Sequence, residues 1–322
     1  QELVVRGVKL IFYPGVQKEA REYRDADNCF NCPVVAGYPD VAGLNVDGLS
    51  SGGVRYVHSF FSVDTPDKIA GQVAKEFARD GVVPAEAAEA VKKAYAAQAE
   101  FKSDVEEMGD RAVRHVNAKG ITGIVLAGHP YHLDPVVNHG IPELINGHNV
   151  AVLTEDSVAG RSRGMETGAD LKVIDQWVFH SRLYRAASAV ARDPELRRFE
   201  LVQLNSFGCG LDAISADQTA GLLEREGRMH TLLKIDESKN NGAVRIRIRS
   251  LLAAVRTKQM PQEAPCGAVI SGSRRRTVSA GKRTILCPPL SQYHFQFLEP
   301  IMRAEGHDFR VLPEGGRESV EL

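Results

Sequence analysis

The sequence predicts an α/β fold, an open and mostly parallel sheet flanked by helices, on two observations. Short apolar runs bounded by Gly, Pro, Asn or Asp recur along the chain, and patterns of helical period lie between many of them. The runs fall at Val8 to Tyr13, Val54 to Phe61, Gly123 to Ala127, Val150 to Leu153, Phe199 to Leu204, Met229 to Ile235, Thr284 to Leu286 and Phe309 to Leu312. The longest helical pattern spans Pro84 to Lys119, where Val91, Ala94, Phe101, Val105, Met108, Ala112 and Val116 fall on one face. Too long for a crossover, it reads as part of a helical excursion at about 65–119 that packs across the sheet. Pro135 to Ile145, Asp212 to Glu226 and Gly242 to Val255 read as further helices. From Thr257 to Arg283 the pattern gives way to Gln, Pro, Gly, Ser and Arg, the composition of a linker or exposed loop. The expected organisation is therefore a main α/β domain over 1–256, a linker at 257–283 and the start of a second α/β lobe at 284–322.

Composition narrows the function classes. With 322 residues, 43% hydrophobic and 25% charged, the chain is ordinary globular material. Its 40 Lys and Arg against 41 Asp and Glu offer no global field for nucleic acid or anionic lipid. No run approaches the ~18 apolar residues of a spanning helix, and the start lacks the pattern of a secretion signal, so a cytoplasmic location is expected. Because the first residue is Gln and a strand pattern begins almost at once, the chain reads as a piece of something longer. Five scattered cysteines are too few for a disulfide framework, and in a reducing compartment they are free thiols or metal ligands.

The cysteines differ in setting. Cys29 and Cys32 form a C-x-x-C in a loop rich in turn formers, a pattern that suits zinc, an iron-sulfur cluster or a redox dithiol. Cys209 sits between a strand and a helix with Gly208 and Gly210 on either side, where glycines let backbone approach a bulky ligand and a helix start favours a thiolate. Cys287 follows a strand and precedes two prolines, and Cys266 lies in the linker. In a parallel sheet the carboxyl ends of the strands share one edge, so Cys32, Cys209 and Cys287 are expected to converge there. His129, His132 and His139 with Asp134 form a second candidate set, for zinc or non-haem iron, or else hydrogen-bond the loop backbone. Glu155, Asp156, Asp236 and Glu237 end strands as acid/base groups or helix caps. Gly208-x-Gly210-x-x-Ala213 also matches a dinucleotide fingerprint, with Asp236 ending the next strand. Against that reading, the spacing to Asp236 is long, Cys209 occupies the turn, and Asp212 puts a carboxylate where a pyrophosphate belongs.

Several segments together carry a likeness: Asn31-Cys32-Pro33-Val34-Val35, Gly128-His129-Pro130-Tyr131-His132-Leu133-Asp134, Leu201 through Gly210, and Leu232-Leu233-Lys234-Ile235-Asp236-Glu237 running on into Gly242 to Arg247. In order, from Val8 to about Leu312, the chain resembles the acyl-CoA dehydratase activase-related proteins. These join activase-type ATPase domains to a region similar to 2-hydroxyglutaryl-CoA dehydratase subunits and double-cubane cluster proteins. The resemblance implies an iron-sulfur cluster, 4Fe-4S or double-cubane, held by cysteines between α/β lobes. An ATP-hydrolysing activase part, in the same chain or separate, would charge it with electrons for an acyl-CoA or another small substrate. By motif Cys32, Cys209 and Cys287 carry over as ligands, while Cys29 falls where the family has His as often as Cys. The family's flanking Cys-Tyr-Pro segments and ATPase domains are not in this chain, which implies an incomplete cluster in this piece alone and leaves room for a homodimer. The expected function is an iron-sulfur electron-transfer segment. Its rivals are a dinucleotide-binding oxidoreductase and a non-catalytic docking domain for an activase.

Overall fold

A computed structural model describes residues 1–50, 53–206, 208–235, 241–259, 284–287 and 292–312. Two compact units divide the chain, residues 1–260 and 261–322. The first unit opens with the short helix α1 (Glu2–Val5), then β1 (Leu10–Phe12), β2 (Gly15–Lys18), α2 (Pro33–Asn45), α3 (Asp47–Ser50), β3 (Arg55–Val57) and β4 (Phe60–Ser62). Here β1 pairs with β3 and β2 with β4, both parallel, as two separate two-stranded sheets. The expected long runs at Val8 and Val54 are thus shorter strands, the second run divided between two sheets. The helical excursion follows as α4 (Pro66–Glu76) and α5 (Pro84–Lys119), 36 residues without a break. Pro84 opens α5 where no intrahelical donor is lost, and Gly120 ends it at φ 66°.

A four-stranded parallel sheet comes next: β5 (Gly123–Ala127), the small helices α6 (Pro135–Asn138) and α7 (Ile141–Asn146), β6 (Ala151–Thr154), α8 (Asp156–Ala159), α9 (Val178–Arg192), β7 (Phe199–Ser206), α10 (Gly210–Arg225), β8 (His230–Ile235) and α11 (Asn241–Gln259). The helix expected over Pro135 to Ile145 is broken because His139 and Gly140 both take positive φ, 55° and 78°. The strands lie in the order β6-β5-β7-β8. Period-two alternation sends β5 side chains to two cores. Val125 and Ala127 pack with Leu201, Val113 of α5 and Leu183 and Ala187 of α9, whereas Ile124 and Leu126 pack with Val202, Leu233, Ile145 of α7 and Ile248 of α11. Helices therefore cover both faces of this sheet.

The second unit carries β9 (Thr284–Cys287), α12 (Gln292–Ala304) and β10 (Asp308–Val311), with β9 and β10 parallel. Thr257 to Gln259 complete α11 and are not linker. The rest of the expected linker with Cys266, and Asp236, Glu237 and the prolines after Cys287, lie outside the described residues.

Two glycines give the helical packing a test. A Cβ on Gly109 of α5 would sit 2.2 Å from the backbone oxygen of Ser157 in α8, while one on Gly71 of α4 would meet nothing within 4 Å. Gly109→Ala should cost about 1–3 kcal/mol in urea unfolding, because neither backbone can yield. Gly71→Ala should gain roughly 0.4–1 kcal/mol by restricting the unfolded chain.

Candidate functional site

The strand order places the crevice. From β5 the chain moves outward to β6 and then returns across to β7 on the other side, so connections leave β5 and β7 in opposite directions. At such a reversal no connection crosses the carboxyl ends of the strands, and a ligand has room there. Gly128 and His129 follow β5, Ser206 ends β7, and Gly208 and Cys209 lead into α10.

Asp212 is the centre of this crevice. It is buried, its Oδ1 faces the His129 Nε2–H, and its Oδ2 accepts the Ser206 backbone N–H at 2.8 Å. Burial opposes its ionisation, but His129, His180 and the Ser206 N–H outweigh that and hold the carboxyl below the usual carboxylate range. It also works on Cys209, which caps α10. Burial and the Asp212 carboxylate push the Cys209 thiol up, against the pull of the Asp212 and Leu211 backbone N–H groups. The expected helix-start effect is present and is outweighed, so Cys209 rests as a thiol. Gly208 takes φ 78°, a turn an L side chain would strain, and a Cβ at Gly210 would meet nothing within 4 Å.

The histidines separate. His132 Nδ1 accepts the His129 backbone N–H at 2.9 Å, so its proton is on Nε2, 3.0 Å from Ser206 Oγ, which lies 3.0 Å from the Tyr131 hydroxyl. Gly128 makes this seat, since a Cβ there would lie 2.5 Å from His132 Nδ1. Burial and the neighbouring His129 lower His132 to about 4, and the ring stays neutral. Asp134 caps α6, accepting from the Val136 and Val137 N–H groups, and His139 ends α6. Of the two readings of this set, His132 and Asp134 follow the one in which they hydrogen-bond the loop backbone, and His129 stands beside Cys209 and Asp212, with ligand atoms of the three within 4.8 Å of one another.

Cys32 has a different setting from the one expected. It follows no strand of the four-stranded sheet but caps α2. Its loop is stitched to the segment before α9: the Asp27 and Asn28 N–H groups donate to the Asp175 carbonyl, Phe30 N–H to Gln176, and Val178 N–H to Phe30. Beneath this seam the buried Arg185 pairs with Asp175 at 3.2 Å and Asp25 at 3.0 Å. Cys29 is buried in the seam, with its N–H on the Asn28 side chain. Tyr131 lies within electrostatic range of Cys209 and Cys32. Burial, aided by Asp212, Cys209 and Cys32 and opposed by the Ser206 hydrogen bond, pushes its hydroxyl up to about 12. Cys287 ends β9 in the second unit.

Sequence reading missed His180. It lies in the first turn of α9, 3% exposed, its Nε2 3.7 Å from Asp212 Oδ1 and without a hydrogen-bond partner among the described residues. Glu155, after β6, is buried beside β5 and accepts the Gly128 N–H, while Asp156 opens α8 and accepts the Thr154 hydroxyl. The dinucleotide reading meets an obstacle at α10, whose start is filled by the ionised, buried Asp212.

Residues 1–158 match the family model described as CoA enzyme activase uncharacterised domain (DUF2229), in keeping with the resemblance noted above. The match includes Cys32, His129 and Glu155 and stops before His180, Cys209 and Asp212. No curated protein and no solved structure matches the chain. No helix among the described residues is long and apolar enough to cross a membrane.

Glu155 yields a signed pH test. Burial, then the Asp156 carboxylate, pushes it up to about 8 from 4.5. The unfolded chain therefore loses this proton first, and between pH 4.5 and 8 the folded state binds more protons, so its stability falls as pH rises. In urea unfolding across that window, the parent chain should lose stability relative to Glu155→Gln. Parallel curves would mean that Glu155 is ionised in the fold.

Proposed function

With residues 1–158 belonging to the CoA enzyme activase domain family, we propose that this chain is the iron-sulfur segment of an ATP-coupled electron-transfer system. Cys32 and Cys209 are its cluster-holding thiols. The observation that carries the reading is that Cys209 caps α10 at the crevice between β5 and β7 with backbone N–H groups directed at it, and that it and Cys32 lie within electrostatic range of one hydroxyl, that of Tyr131. The donor set fits the group. Both cysteines are free and half-buried, each caps a helix, and backbone N–H groups of Leu211 and Asp212 already point at Cys209, as they do toward cluster sulfurs. Two thiols are about half of an ordinary cluster's ligands. Residues of a longer protein or a second copy would supply the rest.

When bound, the cluster would supply one-electron reduction at low potential. The protein's own part is positional. Tyr131 keeps its proton to about 12 and is partly exposed, so it can donate to an oxygen of a small substrate such as an acyl-CoA, oriented through Ser206 by neutral His132. His129 and Ser206 fix Asp212, whose carboxylate adds to burial in keeping Cys209 protonated. An activase-type ATPase domain is the electron donor in this reading, and the setting is cytoplasmic.

The test is iron and acid-labile sulfide analysis of the chain made and reconstituted without oxygen, joined to circular dichroism. Cys32→Ser and Cys209→Ser should each lose most of the iron and sulfide with secondary structure unchanged, while Cys29→Ser keeps them. Full iron and sulfide in both of the first two variants would sink the assignment.

A further inference from the structure

The cluster reading uses Cys32 and Cys209 and leaves His129, Asp212 and His180 without a ligand role. Yet His129, Cys209 and Asp212 offer an imidazole nitrogen, a sulfur and a carboxylate oxygen within 4.8 Å of one another. Helix α9 brings His180, 3% exposed, its Nε2 3.7 Å from Asp212 Oδ1 and its ring 5.1 Å from that of His129. This nitrogen has no hydrogen-bond partner among the described residues. A buried polar atom in that state is unfavourable, and a ligand on it would remove the cost. His132 and Asp134 do not compete, because both His132 nitrogens are engaged and Asp134 caps α6.

Two imidazoles, one carboxylate and one thiolate form a borderline set that suits a tetrahedral Zn2+ or Co2+. Bonds of about 2.0–2.3 Å put such ligand atoms roughly 3.3–3.8 Å apart, so the direct His129–Asp212 contact opens to admit the ion while His180, 3.7 Å from Asp212 Oδ1, and Cys209 close on it. We propose that the cluster-free chain binds one divalent cation of the zinc type on His129, Cys209, Asp212 and His180, and that this cation, by taking Cys209, blocks cluster loading. The cation site rests on these four residues alone; its blocking effect rests also on the cluster reading. Binding releases the Cys209 thiol proton to solvent and leaves the His129 proton on the other nitrogen of its ring, and no oxidation state changes.

The chain, freed of iron and sulfide and kept reduced, is titrated with Co2+ under anaerobic conditions. One equivalent should give ligand-field bands of a four-coordinate site and a thiolate-to-cobalt charge-transfer band, displaced by Zn2+. Cys209→Ser should abolish the charge-transfer band, His180→Gln should weaken cobalt binding about 10-fold or more, and Cys32→Ser should change neither. If His180→Gln does not fold, the two cysteine variants decide. No cobalt binding, a band that survives in Cys209→Ser, or one lost in Cys32→Ser, overturns the site. Zinc-loaded chain should then take up less acid-labile sulfide on reconstitution than zinc-free chain, and equal uptake overturns the blocking effect. Cobalt bound as described, with no sulfide uptake by zinc-free chain, leaves the cation site standing and removes the cluster reading instead.

Discussion

The reversal of strand order between β5 and β7 is the constraint on which the rest depends. Neighbouring parallel strands whose connections depart to opposite sides leave their carboxyl ends uncovered, and backbone groups and side chains there must find partners other than the next strand. This chain meets that demand with polar groups from three elements. His129 comes from the turn after β5, Asp212 from the first turn of α10, and His180 from the first turn of α9. Because β5 is fully buried between two helical layers, this edge is the one place where it can present chemistry.

Electrostatics then sorts the groups by state. Asp212 stays charged in spite of burial because donors converge on it, while Glu155, one strand away, meets a neighbouring carboxylate and keeps its proton to about 8. His132 is neutral, Tyr131 is neutral, and Cys209 rests as a thiol. Among the described residues the crevice thus holds the fixed negative charge of Asp212 beside neutral groups, a poor seat for phosphate.

Where the information was local, it was legible. The strands of the main sheet show as apolar runs because both faces are covered, and Cys209 shows as a strand-to-helix turn because Gly208 must take positive φ. The break in the helix after Asp134 needed knowledge that a non-glycine, His139, takes the left-handed region. Helix α9 was missed because its buried face includes His180, Ser181, Arg185 and Ser188, which read as surface until Asp175 and Asp212 stand opposite them. The route of Cys32 was hidden for the same reason: its loop binds residues far along the chain, which no spacing announces.

That last seam bears on the order of assembly. Asp175 and Asp27 are 148 positions apart, and closing a loop of this size costs about 4 kcal/mol in chain entropy before its contacts repay it. The cysteine loop is therefore a late-forming element, set in place after the sheet and α9 exist. The portion matched by the family model, residues 1–158, ends before the backbone that its own loop grips at residues 175–178. Cys32 gains its position from a segment synthesised long after it, so a nascent chain exposes this thiol well before it can shelter it.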